Sequence, residues 1–309
     1  MATQRRRTVG LAVVVAALGL ACLPQPPGSA TALPAGPPAR SPHRPPSGLV
    51  GWRLDSLRLD DRGLDDRQVG PPRGTPAGPA PATPPAAGPT GAGGCPARSG
   101  AVVRQAPGSD RTVALTFDDG PGPWTAGVLH LLLRYRVPAT FFVIGQQVAA
   151  DPATVRRIVT EGHLLGNHSW SHRYPRAFRG GWSAGYLRAQ ISRTDQQLRA
   201  VTGIRTCWFR PPGGFMQSVP GAARAEHKAI ALWSVDTLDW RVQRDVTADP
   251  TGSRRRFIVS QAVAGGREPH PVVLMHDGGG WRGATLSALP AIIQFYRARG
   301  YRFVRLDGR

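Results

Sequence analysis

The stretch Thr116-Phe117-Asp118-Asp119-Gly120 decides the fold, because it predicts a buried strand that ends on two adjacent carboxylates. An apolar run precedes the stretch and a glycine ends it, which is the pattern of a strand that enters a turn. Successive side chains of a strand point in opposite directions, so Asp118 and Asp119 can contact different partners. Asp-Asp-Gly is also an ordinary turn sequence, so the other strand ends must show whether these carboxylates have a chemical role.

Seven short apolar runs indicate the strands of one sheet. They span residues 113–117, 140–145, 163–168, 207–210, 230–236, 272–276 and 301–306. Helical patterns lie between most of them: one begins at Asp151 and ends before Gly162, one lies between Ser183 and Gly203, and one spans 285–299. Strands that alternate with helices predict an α/β fold of right-handed β-α-β units, with a largely parallel sheet that is open or closed into a barrel.

The first 32 residues have the three regions of a secretory signal peptide. Arginines at positions 5 to 7 precede an apolar run over 9–23, and Ala30-Thr31-Ala32 supplies a cleavage sequence. We therefore expect a secreted or cell-envelope-associated protein outside the cytoplasm. The alternative for residues 1–32 is an uncleaved N-terminal anchor, and only in that case do we expect contact with a membrane.

Residues 33–100 are rich in proline, glycine and alanine and predict a disordered linker, because they bury too little apolar surface to offset the cost of ordering. Within the linker, residues 52–68 carry leucines among acids and arginines and form either a short docking helix or a solvated segment. Residues 101–309 are assigned to the folded domain. Once the signal peptide is removed, Cys95 and Cys207 are the remaining cysteines, and we expect them to form a disulfide in an oxidising compartment.

The formal net charge of +20 predicts an anionic partner. Arginine supplies nearly all of the positive charge, and Lys228 is the only lysine. The sequence has no basic stripe with interleaved aromatic residues, so it does not favour nucleic acid, and we expect attraction to an anionic cell envelope instead. We expect the chain to be a monomer.

Five of the seven strands end in side chains that titrate or carry charge, and parallel strands bring their carboxyl ends to one edge of a sheet. These side chains are Asp118 and Asp119, His168 and His172, Arg210, Asp236 and Asp239, and His276 and Asp277. Two imidazoles with one carboxylate are typical ligands of a catalytic Zn²⁺. We predict that Asp119, His168 and His172 bind Zn²⁺ or another divalent ion such as Co²⁺ or Ni²⁺. Two solvated or core histidines are the simpler alternative.

A hydrolysis assisted by such a metal also needs a base and an acid. Asp118 is the candidate base, and an adjacent guanidinium, that of Arg210, would favour its charged form by about 1 to 3 pKa units. His276 is the candidate acid because histidine titrates near neutrality, with a core histidine as the alternative. Asp236 or Asp239 can orient that imidazole.

The turn Pro211-Pro212-Gly213-Gly214 follows the arginine. Its composition predicts a rigid turn. Such a turn can also present a backbone N–H, that of Gly213, to a developing oxyanion.

Together these motifs resemble the polysaccharide deacetylases with a NodB-homology domain, carbohydrate esterase family 4. The motifs are Thr-Phe-Asp-Asp-Gly at 116–120, His-Ser-x-x-His at 168–172, Arg-Pro-Pro at 210–212, Asp-x-x-Asp-Trp at 236–240 and Leu-x-His at 274–276. They occur in the family's order, and the resemblance covers residues 101–306. It implies a distorted (β/α) barrel of about seven strands and the removal of N- or O-acetyl groups from a polysaccharide at the cell envelope.

The resemblance also implies a role for each site residue. It gives Asp118 as the base supported by Arg210, Asp119, His168 and His172 as metal ligands, His276 as the acid tuned by Asp239, and Trp240 as part of the wall around the acetyl methyl group. The clearest departure is Gly213, where many family members carry an aromatic residue. The backbone N–H remains there, but a side chain beside the sugar is lost.

Peptidoglycan N-acetylglucosamine is the expected substrate, given the export signal and the basic charge. Chitooligosaccharides and acetylated xylan are the alternatives. A non-catalytic carbohydrate-binding wall protein on the same scaffold is disfavoured, because no catalytic position is substituted.

Overall fold

The computed structural model describes residues 98–242 and 249–309. The predicted signal peptide, nearly all of the predicted linker, its segment 52–68 and Cys95 lie outside the described residues. The predicted disulfide therefore stays a prediction.

The described residues contain nine short strands in one sheet, and every strand pair is parallel. The strands are β1 (Val102–Val103), β2 (Thr112–Gly120), β3 (Ala139–Val143), β4 (Leu164–Asn167), β5 (Trp208–Phe209), β6 (Ala229–Ala231), β7 (Val235–Asp236), β8 (Val272–His276) and β9 (Arg302–Phe303). Their order across the sheet is β1-β6-β5-β4-β3-β2-β8-β7, and β9 pairs with β2 outside this order. The largely parallel sheet predicted from the alternating pattern is confirmed.

The predicted run over 230–236 is two strands. β6 pairs with β1 and β5, whereas β7 pairs with β8 at the other end of the sheet, so the chain must bend between them. Only residues 232–234 make this connection, and the four residue steps from β6 to β7 span at most about 14 Å. The sheet therefore curls until its ends approach each other, which confirms the distorted α/β barrel.

Eight α-helices accompany the strands in the described part of the chain. They are α1 (Thr125–Tyr135), α2 (Gly145–Ala150), α3 (Pro152–Thr160), α4 (Ala184–Thr202), α5 (Val219–Ala225), α6 (Asp239–Val242), α7 (Ser253–Ala264) and α8 (Gly283–Ala298). The predicted starts of α3 and α4 are confirmed, because a side chain caps each helix. Asp151 accepts a hydrogen bond from Thr154 N at 3.0 Å, and Ser183 accepts one from Tyr186 N at 3.1 Å. Gly203 ends α4 with a φ of 73°, which glycine adopts without strain.

None of these described helices has both the length and the apolar character needed to cross a membrane.

The largest core cluster surrounds β2, which is buried along nearly its whole length. The ring of Phe117 stacks on that of Phe141 in β3 at 5.1 Å between centroids, and Leu129 of α1 and Ile292 of α8 belong to the same cluster. Apolar packing around this strand holds its carboxyl end in place. That end carries the two aspartates on which the site is built.

Replacement of Ser183 by alanine tests whether capping stabilises α4. The change removes the hydrogen bond to Tyr186 N, so we expect the free energy of unfolding to fall by about 1 kcal/mol. Ser192→Ala, within the same helix, is the matched control and should change stability by less than about 0.5 kcal/mol. Urea unfolding of the two variants measures the difference, and equal stabilities would contradict the capping role.

Candidate active site

The two aspartates at the end of β2 face different partners. Asp118 Oδ1 accepts a hydrogen bond from Arg210 Nη1 at 2.8 Å, whereas Asp119 Oδ1 lies 3.1 Å from His172 Nε2. The pairing of β2 with β3 shifts register between Asp118 and Gly120, and Asp119 has a φ of 73°. A positive φ is uncommon for a residue other than glycine. This irregularity at the strand end gives each carboxylate its own surroundings.

Arg210 is fully buried and joins several strand ends through its guanidinium. Besides Asp118, its Nη1 donates a hydrogen bond to Thr116 Oγ1 at 2.9 Å. Its Nε and Nη2 donate to the carbonyl oxygens of Ala231 and Leu232, both at 3.2 Å. A buried guanidinium needs such partners because an unpaired charge in the interior is costly. The side chain therefore compensates the charge of Asp118 and fixes its direction.

Asp119, His168 and His172 form a group whose possible ligand atoms all lie within 4.8 Å of one another. Asp119 Oδ1 is 3.1 Å from His172 Nε2 and 3.5 Å from His168 Nε2. Tetrahedral Zn²⁺ with bonds of about 2.0–2.1 Å separates its ligand atoms by about 3.3 Å, so these distances suit such an ion. Asp119 Oδ1 is also buried without a hydrogen-bond partner among the described residues. The three side chains therefore fit a divalent metal.

The protonation of His168 also suits a metal. Its Nδ1 lies 2.7 Å from the backbone oxygen of Arg210, and a carbonyl oxygen can only accept, so Nδ1 carries the proton. In the neutral ring, Nε2 then has a free lone pair directed at Asp119. A hydrogen bond of this kind at the far nitrogen commonly fixes the orientation of histidine ligands.

The electrostatics of this group favour a bound cation. Burial favours the neutral form of His168, but the carboxylates of Asp118 and Asp119 outweigh it and raise the pKa of the imidazole. Burial and the neighbouring His168 lower the pKa of His172 to about 4. Burial raises the pKa of Asp119, but the nearby imidazoles outweigh it and hold that pKa far below its usual range. The ionised Asp119 and the neutral His172 are in the forms that bind metals, whereas His168 must release its Nε2 proton when a metal binds.

The turn between the two histidines is held by neighbouring side chains. Gln190 Oε1, on α4, accepts hydrogen bonds from the backbone N–H groups of Trp170 and Ser171 at 3.1 and 2.9 Å. Asn167 Oδ1 accepts another from Ser169 N at 2.9 Å. These bonds fix the backbone that aims both imidazoles at Asp119.

His276, at the end of β8, is paired with Asp239. Its Nδ1 lies 2.7 Å from Asp239 Oδ1, and its backbone N–H donates to Asp239 Oδ2 at 2.9 Å. Thr285 Oγ1 donates to the same Oδ2 at 2.8 Å. Burial lowers the pKa of His276, but the Asp239 carboxylate outweighs it and raises the pKa to about 9. The pair therefore contributes stability that is fully present below pH 6.5, the ordinary pKa, and is lost as the pH rises through about 9.

Asp236 and Asp277, the other carboxylates at these strand ends, have different surroundings. Asp236 Oδ1 accepts a hydrogen bond from Leu238 N at 2.8 Å, and among the described residues Asp236 forms no hydrogen bond with His276. Asp277 is fully buried, and its Oδ2 accepts from Thr125 Oγ1 at 2.5 Å. Of the two residues considered as orienting groups for His276, the structure brings Asp239 to the imidazole.

A cavity of about 800 Å³ opens over this site. Asp118, Asp119, His168, His172 and His276 line it, whereas the fully buried Arg210 and Asp239 lie outside its lining. Gly213, in the short helical turn Pro212–Gly214, and Trp240, in the first turn of α6, also line the cavity. All nine residues expected to act in the site thus line the cavity or directly support its lining.

Sequence reasoning missed several residues that support the site. Thr116 and Thr285 were not recognised as hydrogen-bond partners of Arg210 and Asp239. A threonine inside a strand or a helix gives no local signal of such a distant partner. Asn167 and Gln190 were also missed as supports of the histidine turn. Tyr174, which lines the cavity next to His172, had no recognisable motif.

Comparison with known proteins identifies the family. Residues 105–229 match the family model described as polysaccharide deacetylase. A peptidoglycan-N-acetylglucosamine deacetylase of Bacillus cereus is 33% identical over 220 residues, which cover 68% of this chain and 92% of that protein. The chain belongs to the polysaccharide deacetylases of carbohydrate esterase family 4.

Two further members of the family bear on its range of functions. A chitooligosaccharide deacetylase of Rhizobium leguminosarum is 33% identical over 211 residues, which cover 64% of this chain and 91% of that protein. The solved structure of a family 4 pseudoenzyme from Bacillus anthracis is similar with a TM-score of 0.56 and 26% identity, covering 67% of this chain and 68% of that chain. The fold by itself therefore does not guarantee activity, which depends on the side chains of the site.

Replacement of Asp239 by asparagine tests what holds the proton on His276. Without the carboxylate, burial is opposed only by the charges of Asp119 and Asp118, so we expect the pKa of the imidazole to fall well below about 9. Titration of the His276 ring by NMR in metal-free protein measures the change. A pKa that stays near 9 would contradict the pairing.

Proposed function

We propose that this family member is a metal-dependent hydrolase that removes acetyl groups from N-acetylated cell-envelope polysaccharide, most simply from peptidoglycan N-acetylglucosamine. One observation supports the proposal above all. Three side chains that can bind a metal lie at the same cavity as a carboxylate and an imidazole, each of which has its own charged partner. Asp118 is paired with a guanidinium, and His276 is paired with a carboxylate. A hydrolysis needs one group that accepts a proton and one that donates a proton, and these two groups are the candidates.

Asp119, His168 and His172 are the proposed metal ligands, with Zn²⁺ as the expected ion and Co²⁺ or Ni²⁺ as alternatives. A divalent ion at this position supplies Lewis acidity, which lowers the pKa of water to about 7 and polarises the acetyl carbonyl. The buried, unpartnered Oδ1 of Asp119 supports this assignment.

Asp118 is the proposed base that accepts a proton from the attacking water. Its Oδ1 is engaged by Arg210 Nη1 at 2.8 Å. Its Oδ2 lies 3.6 Å from His168 Nε2 and is the oxygen nearer to the proposed metal ligands. Arg210 would thus hold one oxygen of the carboxylate and leave the other for the proton.

His276 is the proposed acid that donates a proton to the leaving nitrogen. Because Asp239 accepts at Nδ1, the remaining nitrogen Nε2 is the one available to the substrate. A pKa raised to about 9 keeps the ring protonated at neutral pH. The charge of Asp239 would also compensate that of the protonated ring.

Gly213 and Trp240 are proposed to contact the acetyl group. The backbone N–H of Gly213 would donate to the oxyanion that forms at the carbonyl, an interaction that strengthens as negative charge develops. Trp240 is 48% exposed and lines the cavity, so its ring can form an apolar wall for the methyl group.

The named relatives indicate the choice of polysaccharide substrates. The Bacillus cereus relative supports peptidoglycan, and the Rhizobium relative supports chitooligosaccharides as the alternative. Acetylated xylan is a third substrate to test. The pseudoenzyme keeps a non-catalytic carbohydrate-binding protein as an alternative class, although the complete set of titratable groups here favours catalysis.

The domain organisation and location are part of the same proposal. Residues 1–32 would direct export, residues 33–100 would form the linker that precedes the domain, and residues 101–309 would form the catalytic domain outside the cytoplasm. The net charge of +20 would attract the monomer to an anionic envelope. A disulfide between Cys95 and Cys207 would form after export.

Acetate release tests the function directly. The metal-loaded protein should release acetate from peptidoglycan, and a chelator should abolish the reaction, because the ion supplies the Lewis acidity. Chitooligosaccharides and acetylxylan form the rest of the panel. Absence of acetate release from every polymer would favour the non-catalytic alternative.

Asparagine variants of the two aspartates test their separate roles. Asp119→Asn should lose the metal. Asp118→Asn also leaves Arg210 without its counter-charge, so circular dichroism checks its folding; the folded variant should keep the metal and lower kcat by about 10²- to 10⁴-fold, because the base is removed. Metal content by atomic emission and acetate release measure the two effects. Retention of metal by Asp119→Asn together with its loss from Asp118→Asn would show that the roles are exchanged.

A further inference from the structure

The wall of the cavity beside Gly213 is built by Tyr174. Gly213 has a φ of 63°, and a Cβ atom there would lie 2.7 Å from Tyr174 Cε1 and 3.0 Å from Phe215 Cε2. The two rings meet edge to face at 5.8 Å between centroids. The space next to Gly213 is therefore already filled by aromatic rings, one of which comes from the segment that follows His172.

A positively charged side chain packs against this aromatic wall. The guanidinium carbon of Arg176 lies 4.7 Å from the centroid of the Tyr174 ring, and Arg176 lines the cavity as an exposed side chain. Arg241, which follows Trp240 on α6, is likewise exposed and lines the same cavity. Within the described ranges, no carboxylate forms an ion pair with either arginine. Both charges are therefore available to a ligand.

The negative charges of the cavity already have partners. Asp118 is bonded to Arg210, and Asp119 lies among the imidazoles. Asp236 accepts hydrogen bonds from Leu238 N at 2.8 Å and from Trp240 Nε1 at 3.5 Å.

The remaining charged groups that line the cavity do not supply a carboxylate for the two arginines. His172 and His276 belong to the site already described, and Arg282 is buried with its Nε donating to the carbonyl oxygen of Gly278 at 2.8 Å. The part of the cavity lined by Arg176 and Arg241 therefore presents uncompensated positive charge.

We propose that Tyr174, Arg176 and Arg241 select a saccharide that carries a carboxylate near the acetylated sugar, an inference that rests on the proposed deacetylase function. The ring of Tyr174 offers an apolar face beside the sugar, and the planar guanidinium of Arg176 matches a carboxylate in shape and charge. A neutral chitooligosaccharide has no group for these cations. Glycan strands with lactyl or peptide carboxylates do.

Three substrates of equal chain length separate this selection from deacetylation itself. They are peptidoglycan glycan strands freed of peptide, the same strands with their carboxyl groups converted to neutral amides, and chitooligosaccharides. The wild-type protein should show the highest kcat/KM on the free carboxylates, and salt should lower that value more than the other two. Peptide-bearing strands, used as a fourth substrate, show whether peptide carboxylates serve as well as lactyl ones.

The variant Arg176→Gln should lower kcat/KM on the carboxylate strands about fivefold more than on the amidated strands, since an exposed charge-assisted contact is lost. Arg241→Gln should change the same ratio in the same direction. Arg179→Gln, on the same segment but outside the cavity lining, is the matched control and should leave the ratio unchanged.

Different results would contradict the deacetylase function and the carboxylate selection. If the wild-type protein releases acetate from none of the substrates, the proposed function is wrong. If it releases acetate equally well from all of them, or if Arg176→Gln lowers every kcat/KM by the same factor, only the carboxylate selection is wrong.

Discussion

The buried ion pair between Arg210 and Asp118 is the interaction on which the rest of the site depends. The guanidinium also donates to Thr116 and to two carbonyl oxygens at the end of β6, so it connects β2 to β6 across the curled sheet. Removal of either charge would leave the other buried and unpaired, at a cost of about 3–5 kcal/mol. The pair therefore fixes the direction of one aspartate and leaves its neighbour, Asp119, to the two histidines.

The curl of the sheet brings the second pair to the same cavity. β7 and β8 lie at the opposite end of the strand order from β6, yet the short connection over 232–234 forces the two ends together. His276, supported from behind by the buried Asp239, thereby reaches the cavity lined by Asp119, His168 and His172. His276, paired with a carboxylate, and Asp118, paired with a guanidinium, are the two groups proposed as acid and base.

Most of the fold and all nine proposed site residues were accessible from the sequence, because strand ends and their charged residues are local patterns. The strand Val102–Val103 and the break between β6 and β7 were not, since two- and three-residue strands are defined by their partners rather than by their own composition. The supports Thr116, Thr285 and Gln190 act across long sequence distances and left no local signal. The same holds for Tyr174, which fills the space beside Gly213 although no motif marks it.

The most direct test of this account is the position of the metal in a crystal structure of the metal-loaded protein, located by anomalous scattering at the absorption edge of the ion. The account predicts one ion bound by Asp119, His168 and His172, with Asp118 still bonded to Arg210. An ion bound through Asp118 or Asp236 in place of Asp119, or no ion among these side chains, would contradict it.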